Sequence, residues 1–156
     1  MRLLAVFGLV AWLFVPTVAA AASVEEVFKE FGLFGNWATD CDGPASPTNA
    51  HVSITTPSAG LVLEDHNLGS EYAVNRYSVI SAEPESPTTL SVQVIFQPGT
   101  EVEERQKLVF LVRDNTRRTI YNQTDGGAVR VKDGIALARG RKTPLLRKCS
   151  EGSLSQ

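Results

Sequence analysis

Leu90–Phe96 reads LSVQVIF. Leu90, Val92, Val94 and Phe96 fall on one face and Ser91 and Gln93 on the other, the two-residue period of a half-buried β-strand. The alternation recurs outward from there. Trp37, Thr39 and Cys41 alternate with Ala38 and Asp40, and Val52 and Ile54 alternate with Ser53 and Thr55. Turn-forming residues punctuate the chain at 57–60, 68–70, 84–87, 98–99, 114–115 and 125–127. Asp133-Gly134, between Val129/Val131 and Ile135/Leu137, is the strongest hairpin signal, because a two-residue turn of that kind needs positive φ at both positions. No interval holds the helical crossover that parallel strands require. The expected fold is all-β, an antiparallel up-and-down barrel of about eight strands behind a short N-terminal helix.

That helix is expected from Ser23 to about Phe31. Ser23 can cap it, Glu25 and Glu26 suit the positive helix end, and Val24, Val27, Phe28 and Phe31 recur at helical spacing before Gly32. Leu108–Val112 and Val94–Phe96 are apolar on both faces, so a second layer should cover them: the helix, or an interface that includes Ile95, Val109 and Leu111.

The first residues look like an export leader. Arg2 precedes the apolar run from Leu3 to Val18, and Ala19–Ala22 offers small-residue cleavage frames. The run is short for a membrane span, which takes ~20 apolar residues. The reading is a leader at 1–21, cleaved near Ala21 to Ser23, a barrel domain at 22–149 and a loose polar tail at 150–156. The product is periplasmic or secreted, with no transmembrane anchor after cleavage. An oxidising compartment makes Cys41 and Cys149 one disulfide, closing nearly the whole domain. The net charge of −2 excludes a generally basic, nucleic-acid-binding protein.

Gly35-Asn36-Trp37, after the helix and ahead of the long antiparallel meander, resembles the opening of the calycin barrels, the lipocalins and avidin-like proteins. The resemblance implies that Trp37 plugs the closed end, that Gly35 permits the tight entry into the strand, and that a basic side chain from the C-terminal end, Arg141 or Arg147, stacks on the indole. The lipocalin Thr-Asp-Tyr turn is absent, with Asp114-Asn115-Thr116 at most a stand-in. A lesser resemblance is to secreted inhibitors of bacterial metalloproteases, similar barrels with Gly-x-Trp and a nearby cysteine. Here it would make Ser23–Phe34 an arm inserted into a protease cleft, although the second cysteine lies much later than in that family.

His51 and His66 are the two histidines. A four-residue loop at 57–60 would put them directly opposite each other, with Ser53 facing Glu64, as donors for Zn²⁺ or Cu²⁺. Ligation normally needs three or four donors, so two solvated histidines are the simpler reading. Charge is segregated: between Glu64 and Glu104 the acids are offset only by Arg76, while Arg130, Lys132, Arg139, Arg141, Lys142, Arg147 and Lys148 form a basic strip broken by Asp133. Barrel closure could join the two as solvated pairs, or the strip could meet an anionic surface. Asn122-Gln123-Thr124 is a glycosylation acceptor pattern only in a host that glycosylates.

No catalytic residue is assigned, since the chain has neither a Gly-x-Ser-x-Gly elbow nor a Cys-x-x-Cys pair. The expected role is non-catalytic binding of a small hydrophobic ligand, without a cofactor. Leu61, Leu63, Leu90, Val92, Val94, Phe96, Leu108, Phe110 and Val112 are the expected interior lining. The alternative is a protein–protein module, an inhibitor of a secreted enzyme or an envelope-assembly partner, using Ile95, Val109 and Leu111 or the basic strip.

Overall fold

The computed structural model describes residues 21–150. The leader at 1–20 and the tail beyond Ser150 lie outside the described residues. Helix α1 (Val24–Glu30) starts with a reciprocal capping box: Glu26 N–H donates to Ser23 Oγ at 3.2 Å, and Ser23 N–H donates to Glu26 Oε2 at 2.7 Å. The helix stops where Gly32 takes φ +63°. Gly32 N–H then donates to Lys29 O and Leu33 N–H to Phe28 O, which closes the last turn in a Schellman motif. Phe28 and Leu33, the hydrophobic pair that accompanies this motif, are fully buried.

Eleven strands follow: β1 (Gly35–Ala38), β2 (His51–Ser58), β3 (Leu61–Asn67), β4 (Asn75–Ser86), β5 (Thr89–Phe96), β6 (Glu104–Arg113), β7 (Thr116–Thr124), β8 (Val129–Lys132), β9 (Ile135–Ala136), β10 (Arg141–Lys142) and β11 (Leu146–Lys148). β1 to β7 pair in sequence order, and β11 then bridges β7 back to β1, closing an eight-stranded antiparallel barrel. β8 to β10 form an extension hydrogen-bonded to β7. The Asp133-Gly134 turn has φ +51° and +73° and joins Lys132 to Ile135, as its sequence requires. Asp114-Asn115 makes a second such turn between β6 and β7, with φ +49° and +59°.

Cys41 and Cys149 form the expected disulfide, with Cα atoms 5.6 Å apart across a sequence separation of 108. Helix α1 packs its Val27 and Phe28 into the same core as Trp37, Val52, Ile54, Val62 and Leu90. It therefore closes one end of the barrel instead of covering the outer face of β5 and β6. Val109 on that face is nonetheless buried, in a shallow hollow shared with Glu85, Lys107, Ile120, Tyr121 and Asp133, so neighbouring side chains shield it in place of a second layer. Ile95 and Leu111 are half-buried.

The β2–β3 hairpin corrects the register read from sequence. Ser58 pairs with Leu61 around a tight Ala59-Gly60 turn, and a bulge between Thr55 and Ser58 absorbs Pro57, which has no N–H to give to the ladder. The shift is one residue. His66 therefore faces Val52, His51 faces Asn67, and Glu64 faces Ile54 instead of Ser53. Because side chains alternate across a strand, the slip puts His51 and His66 on opposite faces of the hairpin.

Candidate functional site

Trp37 forms the floor of the barrel. Gly35 enters β1 with φ +109°, a conformation that favours glycine. Two residues on, the Trp37 indole is 1% exposed, and its Nε1–H donates to Leu33 O at 2.8 Å. The Schellman turn at Gly32 is what presents that carbonyl. The cations against the indole are Lys148, with Nζ 5.6 Å from the ring centroid, and Arg117, with Cζ at 5.8 Å. They replace the expected Arg141 and Arg147. Arg141 is exposed on β10, and Arg147 turns its Nε–H toward Thr39 O at 3.1 Å.

The barrel interior holds a cavity of about 230 Å³, separated from Trp37 by the Arg117 side chain. Val52, Val79, Val94, Leu108, Phe110 and Leu146 give it apolar walls, and Glu64, His66, Tyr77, Arg117, Asn122 and Thr143 bring polar atoms to it. Of the expected lining, Val94, Leu108 and Phe110 reach the cavity. Leu90 and Val92 are buried in the packed core and do not border it. Phe96 is half-buried with its ring 5.1 Å from Tyr77, and Val112 is half-buried against the core. Leu61 and Leu63 do not line the cavity: in β3 it is Val62, Glu64 and His66 that face inward, leaving Leu61 and Leu63 on the outer face.

The inward Glu64 is the feature that the sequence pattern missed. It is 5% exposed and faces Arg117, 3% exposed, across the barrel interior. Arg117 Nη1–H donates to Glu64 Oε2 at 3.0 Å, Arg117 Nη2–H donates to Oε1, and His66 Nε2–H donates to Oε1 at 2.6 Å. Burial by itself pushes the Glu64 carboxyl up. The Arg117 charge and the hydrogen bond from His66 outweigh it and hold the group well below the usual carboxylate range. An ionised carboxylate only accepts, so His66 carries its proton on Nε2. The Arg117 guanidinium also lies 4.7 Å from the Phe110 ring centroid, a second cation–π contact besides that to Trp37.

Tyr77 packs its ring 5.0 Å from His66. Burial, aided by the Glu64 charge, pushes its phenol up to about 12, so it stays neutral and able to donate. His51 is buried elsewhere, beneath the 41–50 loop, with Nε2 3.0 Å from Gly43 O. The two histidines therefore share no site. Asn122 of the glycosylation pattern is buried in the barrel, where no glycosyl group could reach it.

β7 changes neighbour along its outer edge. Thr116 and Arg117 pair with β11, whereas Asn122 and Gln123 pair with β8. Thr143 closes the seam between them: its Oγ1–H donates to Thr119 O at 2.6 Å, its N–H donates to Gly134 O at 2.8 Å, and its carbonyl accepts from Arg118 Nη2 at 2.7 Å. Acidic and basic segments do meet here, as Arg130 on β8 pairs with Glu104 on β6. Comparison with protein-family models, curated proteins and solved structures found no match.

Proposed function

We propose that this is an exported, non-catalytic binding protein that holds one small, largely apolar molecule inside its barrel, in the manner of the lipocalin and avidin-like calycins. The observation that carries the reading is the cavity itself: apolar walls around the buried Arg117–Glu64 pair. Ligand pockets generally combine an apolar lining with a few placed polar groups, and this one is slightly smaller than the ~300–1,000 Å³ common for drug-sized ligands. The occupant is accordingly small. The calycin likeness draws support from the eight-stranded closure, the preceding helix, and Gly35 and Trp37 at the stoppered end with cations against the indole. Export to the periplasm or beyond draws support from the disulfide, which suits an oxidising compartment.

Non-catalytic use fits the chemistry of Glu64. It is the only carboxylate among the described residues that border the cavity, and its oxygens are occupied by Arg117 and His66. A group so held is a poor proton carrier. The Ser23–Phe34 stretch, the arm that the inhibitor reading requires, has Val27, Phe28 and Leu33 buried in the core.

Native mass spectrometry of the protein purified from its own host tests the proposal. The expected spectrum shows a small-molecule adduct that is released on denaturation and lost in Val94→Phe, which fills the cavity. An adduct that persists in Val94→Phe, or a ligand-free protein that co-purifies with a macromolecule, would overturn it.

A further inference from the structure

We propose that the barrel cavity takes small organic anions, molecules with an apolar body and one carboxylate, and that Arg118 holds the carboxylate where the cavity reaches the seam between β11 and β8. The inference rests on the binding function proposed above and adds the chemistry of what is bound.

The charges on the cavity wall do not cancel. Glu64 is the only carboxylate among the described residues that border it, whereas two guanidiniums, Arg117 and Arg118, border it as well. Arg117 occupies Glu64: its Nη1–H donates to Oε2 at 3.0 Å and its Nη2–H donates to Oε1, where His66 adds a further donor. Arg118 is left over. Among the described residues it has no acidic partner within ion-pair distance. A guanidinium keeps its charge in a protein, so the wall carries at least one uncompensated positive charge.

Arg118 sits on β7 where that strand loses β11 as its neighbour. Arg117 pairs with Leu146, and the next outer-edge pairing is Asn122 with Val131 on β8. Across this gap Arg118 Nη2–H donates to Thr143 O at 2.7 Å, which pins the head group. Its Nε is sealed in the wall without an acceptor, so no carboxylate backs the head group from that side. Nη1 has no hydrogen bond among the described residues, yet it is not sealed. It is the donor left for a ligand.

The cavity is graded in the same sense. Arg118 is half-buried and Pro144, next to Thr143 on the lining, is exposed, so this side reaches solvent. Val52, Val79 and Val94 on the remaining wall are buried. A carboxylate at Arg118 keeps part of its hydration, which limits the cost of bringing charge to the barrel, while its apolar body packs against the valines. A cation would meet Arg118 with no free acid to oppose it. In size, an apolar cavity of about 150 Å³ accepts benzene, so about 230 Å³ admits a single ring that carries a carboxylate.

Benzoate, toluene and benzylammonium each have one ring and differ in charge. Titration of the mature protein with each, followed in ¹H–¹⁵N correlation spectra, is expected to show benzoate binding about tenfold tighter than toluene, with benzylammonium weakest. Raising the salt to molar concentration should shrink the benzoate advantage. Arg118→Met should erase it. The salt series needs only the native protein and carries the test if Arg118→Met fails to fold. Toluene binding as tightly as benzoate, a benzoate preference indifferent to salt, or one that survives Arg118→Met would each overturn the inference while leaving the binding function standing. If none of the three probes binds, the binding function falls with it.

Discussion

The two halves of β7 are built to different standards of satisfaction. Its first half, at Thr116–Arg117, is locked against β11, and the Arg117 side chain combines a two-point ion pair with contacts to Phe110 and Trp37. Its second half, at Asn122–Thr124, pairs with the short β8 and leaves Asn122 Oδ1 and Thr124 Oγ1 buried without partners. Between the two, Arg118 gives its Nη2–H to Thr143 O but keeps its Nε buried without a partner, so satisfaction falls off along the strand from Arg117 onward. Buried polar groups in folded proteins are nearly always paired, so these atoms stand out.

The hardest way to break the first half is to cut the covalent tie next to β11. Replacing both Cys41 and Cys149 by serine should cost about 4–5 kcal/mol in chemical denaturation, given the long loop the bridge closes. Hydrogen exchange should accelerate more in β1 and β11 than in β8.

Next comes the ion pair. Arg117→Met alone should destabilise by about 3–5 kcal/mol, because it strands a buried carboxylate, whereas Arg117→Met combined with Glu64→Leu should recover most of that loss. The pH response follows the sign of the Glu64 shift. Its carboxyl titrates lower in the folded protein than the 4.5 of an unperturbed glutamate, so the pair's contribution is complete above about pH 4.5 and is lost as the pH falls toward the folded value. The double variant should therefore show a flatter acid limb in its stability profile than the native protein. An unchanged acid limb would mean that the pair does not govern acid stability.

The smallest effect expected is at the seam. Thr143→Val removes the hydroxyl that donates to Thr119 O and should cost about 1 kcal/mol by thermal denaturation. The loss should leave exchange at Thr116–Arg117 unaffected.

Where the chain obeys simple patterning, the sequence foretold the structure. The Ser23/Glu26 cap, the Gly32 stop, the LSVQVIF strand, the Asp133-Gly134 turn and the single disulfide are all local or arithmetically forced signals. The inward placing of Trp37 was an expectation of the calycin resemblance, and the indole is buried in the core. The site was legible only in its apolar part, at Val94, Leu108 and Phe110. In β3 both faces carry apolar residues near the turn, and the inward choice of Val62, Glu64 and His66 puts charge where patterning forbids it. The compensating charge, Arg117, lies 53 residues away. Nothing short of the closed barrel joins them. The register of the histidines failed for a related reason: a proline bulge changes the count by one without altering the composition of the turn. A clue that could have been used is Pro57 itself, since a proline inside a strand usually marks a bulge or an edge.

The pairing of β1 with β11 sets the order in which this molecule can be completed. The two strands that meet at closure come from opposite ends of the domain, so a polypeptide emerging N-terminus first must keep the edge of β1 uncovered until nearly the last of it has been released. Contacts that span so much chain form slowly. During that interval an unpaired, aggregation-prone edge is exposed. Closure thus requires both ends of the domain to be present, and the Cys41–Cys149 bond beside β11 holds them together once they have met.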